Sequence, residues 1–144
     1  MNNSLICLEG NVSFEEEVNV QSLDLIKFKS GQQISVSRER FSEDRNFHDH
    51  ISQQLSNANN FFSQFNLVRM EKFTDSNAFS EAFHIIYTFS AGAAPEKRAW
   101  QVTYACLLKD KIINFTSVYP DEESMNKESG RLHHCVKNFS LHSL

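Results

Sequence analysis

Histidine and cysteine are the residues of this sequence with the broadest catalytic and metal-binding chemistry, but their spacing favours neither. His48 and His50 are two residues apart rather than four, so one helix face would not carry both, and His133 and His134 are adjacent. Cys135 follows His134 directly, yet no third group is placed to orient such a pair for nucleophilic catalysis. The sequence also lacks the G-x-S-x-G, phosphate-loop and HExxH motifs. We therefore expect a protein that is not an enzyme and that holds no metal or other cofactor.

A row of uncharged polar side chains is the more informative pattern. In the stretch QQISVSRERF, a strand would point Ile34 and Val36 to one face and Gln33, Ser35 and Ser37 to the other. Water would accept Lys and Glu on an exposed face at no cost, so a row of amides and hydroxyls suggests that something covers it.

The surrounding sequence predicts several strands and two helices, which is the order of a layered α+β domain. A hairpin is expected where Ser30 and Gly31 separate two alternating stretches, because glycine tolerates the positive φ of a two-residue turn. One helix begins after the N-cap Asn46, and a second, weakened by Gly130, follows Asp121. The strands are expected at residues 4–8, 12–14, 22–29, 32–38, 66–73, 81–90, 99–109 and 112–119, with the segment 91–97 connecting the two longest.

The two longest strands each have one bulky and one small face. The bulky faces suit packing under both helices, so we expect an antiparallel β-sheet with the amphipathic helices on one side and a concave, small, polar-apolar face on the other. The bulky residues are Phe83, Ile85, Tyr87 and Phe89 in the first strand and Trp100, Val102, Tyr104, Cys106 and Leu108 in the second. The small face includes His84, Ile86 and Thr88 in the first strand and Gln101, Thr103, Ala105 and Leu107 in the second.

Three explanations of the small face remain open: a second layer of the same chain, contact between two copies of the chain, or a ligand surface. A ligand that approaches closely over small residues could be an apolar helix whose own surface is small. Membrane helices pack in this way, and Ser, Thr, Asn and Gln add interhelical hydrogen bonds of about 0.6 kcal/mol each.

Composition and length limit the class of protein. The 144 residues, 40% of them hydrophobic and 13 of them Phe, suit a single packed domain spanning residues 1–144. The net charge of -4 and the lack of a Lys/Arg cluster argue against a nucleic-acid partner. No apolar run approaches the ~20 residues that span a bilayer, and the N-terminus lacks signal-peptide features, so we expect a cytoplasmic protein without direct membrane insertion. Cys7, Cys106 and Cys135 are expected to be reduced core residues.

Five stretches in order carry a family resemblance that covers essentially the whole chain. They are LICLEG (5–10), SLDLIKF (22–28), ISVSR (34–38), HISQQL (50–55) and WQV (100–102). With them the chain resembles the Eag-type chaperones, the DUF1795 domain, of bacterial type VI secretion. The resemblance implies a PsbP/Mog1-like fold and a cytosolic, homodimeric adaptor. Such an adaptor holds the hydrophobic N-terminal transmembrane segments of a secreted effector, often of PAAR or Rhs type, until the effector is loaded on the secretion spike.

The resemblance also implies which residues bind the effector helices. By position, the groove residues of the family correspond to Leu23, Leu25, Gln33, Ser35, Ser37, Gln54 and Gln101, and the small face adds Ile86 and Leu107. The aliphatic side chains would cover apolar helix surface, and the polar ones would bind carbonyls or small polar groups of the helix. By its position alone, Gln54 could equally be an exposed helix residue. The alternative function is a soluble interaction module of the same fold that binds a folded partner.

Overall fold

The molecule is a mixed α+β protein, as its sequence predicts. The computed structural model describes residues 4–7, 10–13, 15–16, 22–42, 44–90 and 97–142. Its elements in chain order are β1 (Ser4–Cys7), β2 (Gly10–Ser13), β3 (Leu23–Lys27), β4 (Gln33–Arg40), α1 (Phe47–Phe61), β5 (Asn66–Lys72), β6 (Glu81–Ser90), β7 (Arg98–Leu108), β8 (Lys111–Tyr119) and α2 (Glu122–Lys137). The predicted fold class, an antiparallel sheet with two helices, is confirmed.

The main sheet has six strands in the order β3-β4-β8-β7-β6-β5, and every neighbouring pair is antiparallel. β1 and β2 form a separate two-stranded hairpin. Residues 8 and 9 of that hairpin's turn lie outside the described residues, as does the side chain of Cys7. The predicted connection at 91–97 also lies there, except for residue 97.

Both helices begin at side chains that satisfy the first free backbone N–H groups. Asn46 Oδ1 accepts a hydrogen bond from Asp49 N at 3.1 Å at the start of α1. Asp121 Oδ1 accepts one from Ser124 N at 2.7 Å at the start of α2. These are ordinary N-cap contacts, and the two helix starts are where the sequence predicts them.

The register of β6 and β7 places the bulky face of one strand beside the small face of the other. Phe83 pairs with Ala105, whereas Ile86 pairs with Val102. Residues that pair directly across an antiparallel ladder lie on the same side of the sheet. The two bulky faces therefore lie on opposite sides of the sheet.

Each helix covers one of these sides, so the expectation that both helices pack on one side is wrong. α1 packs with Phe47 against Phe83, with ring centroids 5.6 Å apart. α2 buries Leu132 and Val136 completely against the side that carries Val102. The sequence of one strand does not give its pairing register. A shift of one residue in that register moves every side chain of the strand to the opposite side of the sheet.

The two sides of the sheet differ in how far they are covered. The cluster under α2 extends from β4 through β8 and β7 to β6. The cluster under α1 is built mainly from β6 and β7, with Ile112 of β8 at one end. On the α1 side, no helix within the described residues therefore packs on most of β3, β4 and β8.

The turn between β3 and β4 is longer than the predicted two residues. Phe28 N donates to Gln32 O at 2.9 Å, which leaves three residues, 29–31, in the loop, and Gly31 has a φ of 97°. The buried Gln32 side chain then ties this loop to the rest of the molecule. Its Nε2 donates to Tyr119 Oη at 3.0 Å, and its Oε1 accepts from Arg131 Nη1 at 2.7 Å.

Candidate functional site

A cleft of about 220 Å³ lies between α1 and the sheet, and we call it the α1 cleft. It lies on the side of the sheet that α1 covers only in part. Three predicted site residues, Ser37 from β4, Gln54 from α1 and Gln101 from β7, come together in its lining. The rest of the lining is Ile51, Leu55, Ala58, Ile85, Tyr87, Thr103, Ala105, Asn114 and Thr116.

A second depression, of about 460 Å³, adjoins the α1 cleft, and Thr116 lines both. We call it the turn hollow because the loop between β3 and β4 forms part of its lining. Leu23 lines neither depression but pairs with Ser37, so it lies on the same side of the sheet. The predicted site residues that line the turn hollow are Leu25, Gln33 and Ser35.

Uncharged polar groups form a chain of hydrogen bonds across the floor of both depressions. Gln101 Nε2 donates to Thr103 Oγ1 at 3.3 Å, and the hydroxyls of Thr103 and Thr116 are 3.0 Å apart. Ser35 Oγ donates to the backbone carbonyl of Thr116 at 3.5 Å. Each of these groups keeps further donor or acceptor capacity. The floor is thus stable by itself and can still bind a polar group of a ligand.

Gln54 is held in place by a charged partner rather than exposed on the helix surface. Its Nε2 donates to Glu39 Oε1 at 2.8 Å, and His50 Nε2 lies 3.4 Å from the same oxygen. Because a carboxylate only accepts hydrogen bonds, this contact fixes which end of the Gln54 amide faces Glu39. His50 Nδ1 is buried and has no hydrogen-bond partner within the described part of the chain.

Large apolar side chains are exposed beside the polar floor. Leu23 is 66% exposed, Leu25 is 49% exposed and Val118 is 55% exposed. The strand register puts all three on the α1 side, because Leu25 pairs with Ser35 and Val118 pairs with Gln101. This side therefore combines an apolar margin with an uncharged polar centre, as a surface that is covered by a partner would.

Two predicted site residues lie elsewhere. Ile86 is buried on the α2 side, in the cluster with Val102, so its assignment to the small face beside Gln101 is wrong. Leu107 does lie on the α1 side, but it packs against the cluster around Phe83 and lines neither the α1 cleft nor the turn hollow.

The sequence analysis did not select three residues of β8 that line the two depressions: Asn114, Thr116 and Val118. The signal was present, because these residues alternate with Phe115 and Ser117 in the segment NFTSV. The reasoning that selected the row in β4 would also have selected them in β8.

Tyr87, which lines the α1 cleft, is an ionisable group with a shifted pKa. Burial raises the pKa of Tyr87 to about 12, so its hydroxyl remains protonated at neutral pH. Among the residues that the structure describes, no three His, Cys, Asp or Glu side chains are grouped as a metal site would require. Within the same residues, no helix has the length and apolar character needed to cross a bilayer.

Comparison with known structures supports the fold. A protein of unknown function from Pseudomonas aeruginosa, PA94, is 14% identical, with a TM-score of 0.73 over 98% of this chain and 97% of that one. Cyanobacterial PsbP from Synechocystis sp. PCC 6803 is 12% identical, with a TM-score of 0.54 over 83% of this chain and 82% of that one. These similarities establish a PsbP-like fold and nothing about function.

Comparison of the sequence gives a family. No curated protein matches the chain significantly. The family model of DcrB, in contrast, matches residues 9–137, which is most of the chain and includes both depressions and all of the predicted site residues. The chain belongs to the DcrB family.

Proposed function

We propose that this protein is a cytoplasmic adaptor, without enzymatic activity, that binds apolar α-helical segments of another polypeptide on the α1 side of its sheet. In this proposal the α1 cleft and the part of the turn hollow lined by Leu25, Gln33, Ser35, Thr116 and Val118 together form the binding surface. The resemblance to Eag-type chaperones supplies the partner: the N-terminal transmembrane segments of a type VI secretion effector of PAAR or Rhs type, held by a homodimer until loading.

One observation carries the proposal. A strip of the sheet on which neither α1 nor α2 packs presents exposed Leu23, Leu25 and Val118 beside an uncharged polar floor. Large apolar side chains left exposed beside the floor are unfavourable in water, and the polar groups of the floor already bond one another. A ligand that is mainly apolar and carries a few small polar groups would complement both properties.

The width of the strip suits a single helix. Strands lie ~4.8 Å apart, so the uncovered strip of β3, β4 and β8 is about 14 Å wide. A helix with its side chains is about 10–12 Å across. A helix laid on the strip would contact α1 on one side, with Gln54 at the boundary between them. The α1 side of the sheet would then carry two helices, α1 and the bound helix, and helices packed side by side on a sheet are a common layer arrangement.

The polar floor would favour one register of the bound helix over others. An apolar helix with small residues exposes backbone carbonyls and hydroxyl groups to close neighbours. Gln101 and Thr103 would offer them donors and acceptors at a fixed position on β7. Each such hydrogen bond would contribute about 0.6 kcal/mol, so the polar floor would determine the register of the helix more than its affinity.

The test is whether the protein keeps apolar helices in solution. We expect co-expression with the hydrophobic N-terminal segments of a PAAR- or Rhs-type effector to yield a soluble complex that survives purification. Gln101→Leu should fold normally, because Gln101 is half-buried and makes only one long hydrogen bond, but it should recover less effector. Gln53→Leu is the matched control, since Gln53 is an exposed glutamine of α1 that lines neither depression.

The alternative, a module that binds a folded partner, predicts a different result. Such a module would bind its partner equally well after the partner's apolar segments had been deleted. Equal recovery of effector by the wild type and Gln101→Leu would count against the role of the polar floor.

A further inference from the structure

A recess of about 440 Å³ lies on the opposite side of the sheet from the proposed binding surface, and we call it the α2 recess. It is enclosed by β5, β6 and β7 on one side and by α2 on the other. Its volume lies in the range of roughly 300–1,000 Å³ that is usual for small-molecule sites. Apolar walls come from Ile86, Trp100, Val102 and Met125.

Arg69 supplies guanidinium donors to the α2 recess, and the imidazole, amide and hydroxyl groups in its lining can each donate or accept. Arg69, His84 and His133 line it, and Glu122 is the one carboxylate among its described lining residues. Glu71 Oε1 lies 3.8 Å from Arg69 Nη1, which is longer than a hydrogen-bonded ion pair, and both side chains are more than half exposed. The Arg69 guanidinium therefore still has donors for another anion.

The aromatic groups in the recess are held in fixed orientations. The His84 ring is stacked on the Tyr104 ring, with centroids 4.5 Å apart and planes 8° apart. The Tyr104 hydroxyl is 3.3 Å from His133 Nδ1, and His133 Nε2 is 3.4 Å from Asp75 Oδ2. Burial, and then the charge of Arg69, lowers the pKa of His84, while Glu71 opposes that change. A stacked pair of rings thus forms a flat wall of the recess.

Gly130 leaves the helix side of the recess open. It lies within α2 and lines the recess, although glycine is the least favourable residue for a helix interior after proline. Its φ is not positive, and a Cβ built at this position would meet no atom within 4 Å. Neither backbone geometry nor packing in the free protein therefore requires glycine here. The recess therefore has room for a ligand to pack against the backbone of α2 at Gly130.

We propose that the α2 recess binds a small organic anion with a flat apolar body, that is, an aromatic carboxylate. The carboxylate contacts Arg69 and the neighbouring imidazoles, and the ring lies between the apolar walls and the backbone of α2 at Gly130. This site is separate from the α1 cleft and the turn hollow, and it does not depend on what those depressions bind.

Titration with naphthoate, followed by amide chemical shifts, tests the proposal. We expect saturable shifts confined to β5–β7 and α2, with a Kd on the order of 1 mM, as a ligand of roughly a dozen heavy atoms allows. Arg69→Gln should weaken naphthoate binding by roughly tenfold, because it removes a charged hydrogen bond. The same variant should leave binding of neutral naphthalenemethanol unchanged. Arg45→Gln, which removes an exposed arginine outside the recess, is the matched control.

Two variants of Gly130 separate the site from the stability of the fold. Gly130→Ala should raise the Tm because alanine favours the helix, while it weakens binding of both probes. Gly130→Leu should fill the space and abolish binding of both. The proposal is overturned if naphthoate causes no saturable shifts in the recess, if Gly130→Leu binds like the wild type, or if Arg69→Gln weakens both probes equally.

Discussion

The apolar margin of the α1 side leads to a prediction whose size follows from the structure. Leu23→Ser, Leu25→Ser and Val118→Thr should together weaken binding of an apolar helix. Burying such a side chain completely contributes roughly 1.5–3 kcal/mol. With 66%, 49% and 55% of these residues still exposed, covering them could contribute about 1–2, about 0.7–1.5 and about 0.8–1.6 kcal/mol respectively.

The combined contribution is about 2.5–5 kcal/mol, which corresponds to roughly 70-fold to 5,000-fold in Kd. Association also costs side-chain ordering, so we expect a loss near the lower limit. Fluorescence anisotropy can measure it, with a labelled peptide of about 20 Ala, Gly, Leu and Ser residues as the probe. On the same scale, the parts of these side chains that are already buried contribute about 0.5–1.5 kcal/mol each to folding, so urea unfolding should fall by no more than that per substitution.

Leu141→Ser is the matched control, because Leu141 is 53% exposed but lines neither depression. It should leave the Kd of the peptide unchanged. The reasoning fails if Leu141→Ser weakens binding as much as Leu25→Ser does. It also fails if the triple variant binds the peptide with wild-type affinity while remaining folded.

Three further predictions concern the stability of the fold. Gln32→Leu should cost about 1–3 kcal/mol in urea unfolding, because it leaves the buried hydroxyl of Tyr119 without its partner, and adding Tyr119→Phe should recover part of the loss. Asn46→Ala should cost about 1 kcal/mol by removing the cap of α1, and an unchanged urea midpoint would contradict that role. Below pH 6.5 the unfolded chain protonates His84 before the folded protein does, so stability should fall as the pH drops through its lowered folded pKa. His84→Gln should flatten that part of the pH profile measured by thermal unfolding.

The sequence predicts the elements of this fold well because each signal is local. The caps at Asn46 and Asp121 act over three residues, and the alternation in β6 and β7 is strict over the length of each strand. Alternation within β4 likewise placed Gln33, Ser35 and Ser37 on one face.

What the sequence could not supply is the relation between strands. Each strand has two faces, and the sequence of β6 alone does not decide whether Phe83 or Ile86 lies beside Gln101. That choice depends on the pairing register, which joins residues far apart in the chain. The hydrogen bond between Gln32 and Tyr119, which are 87 residues apart in the chain, could not be predicted for the same reason. Neither residue has a local sequence feature that indicates the other as its partner.

Strand β3 occupies the rim of the sheet, has only β4 as a hydrogen-bonded neighbour and has every residue exposed. Such a strand should detach with a much lower free energy than β6 or β7, and its amide hydrogens should exchange with solvent first. A helix seated across β3 and β4 would slow that exchange and shield the segment from proteases. Under the proposed function, the lifetime of the protein would then depend on whether a helix is bound: empty copies would be degraded and occupied copies would persist.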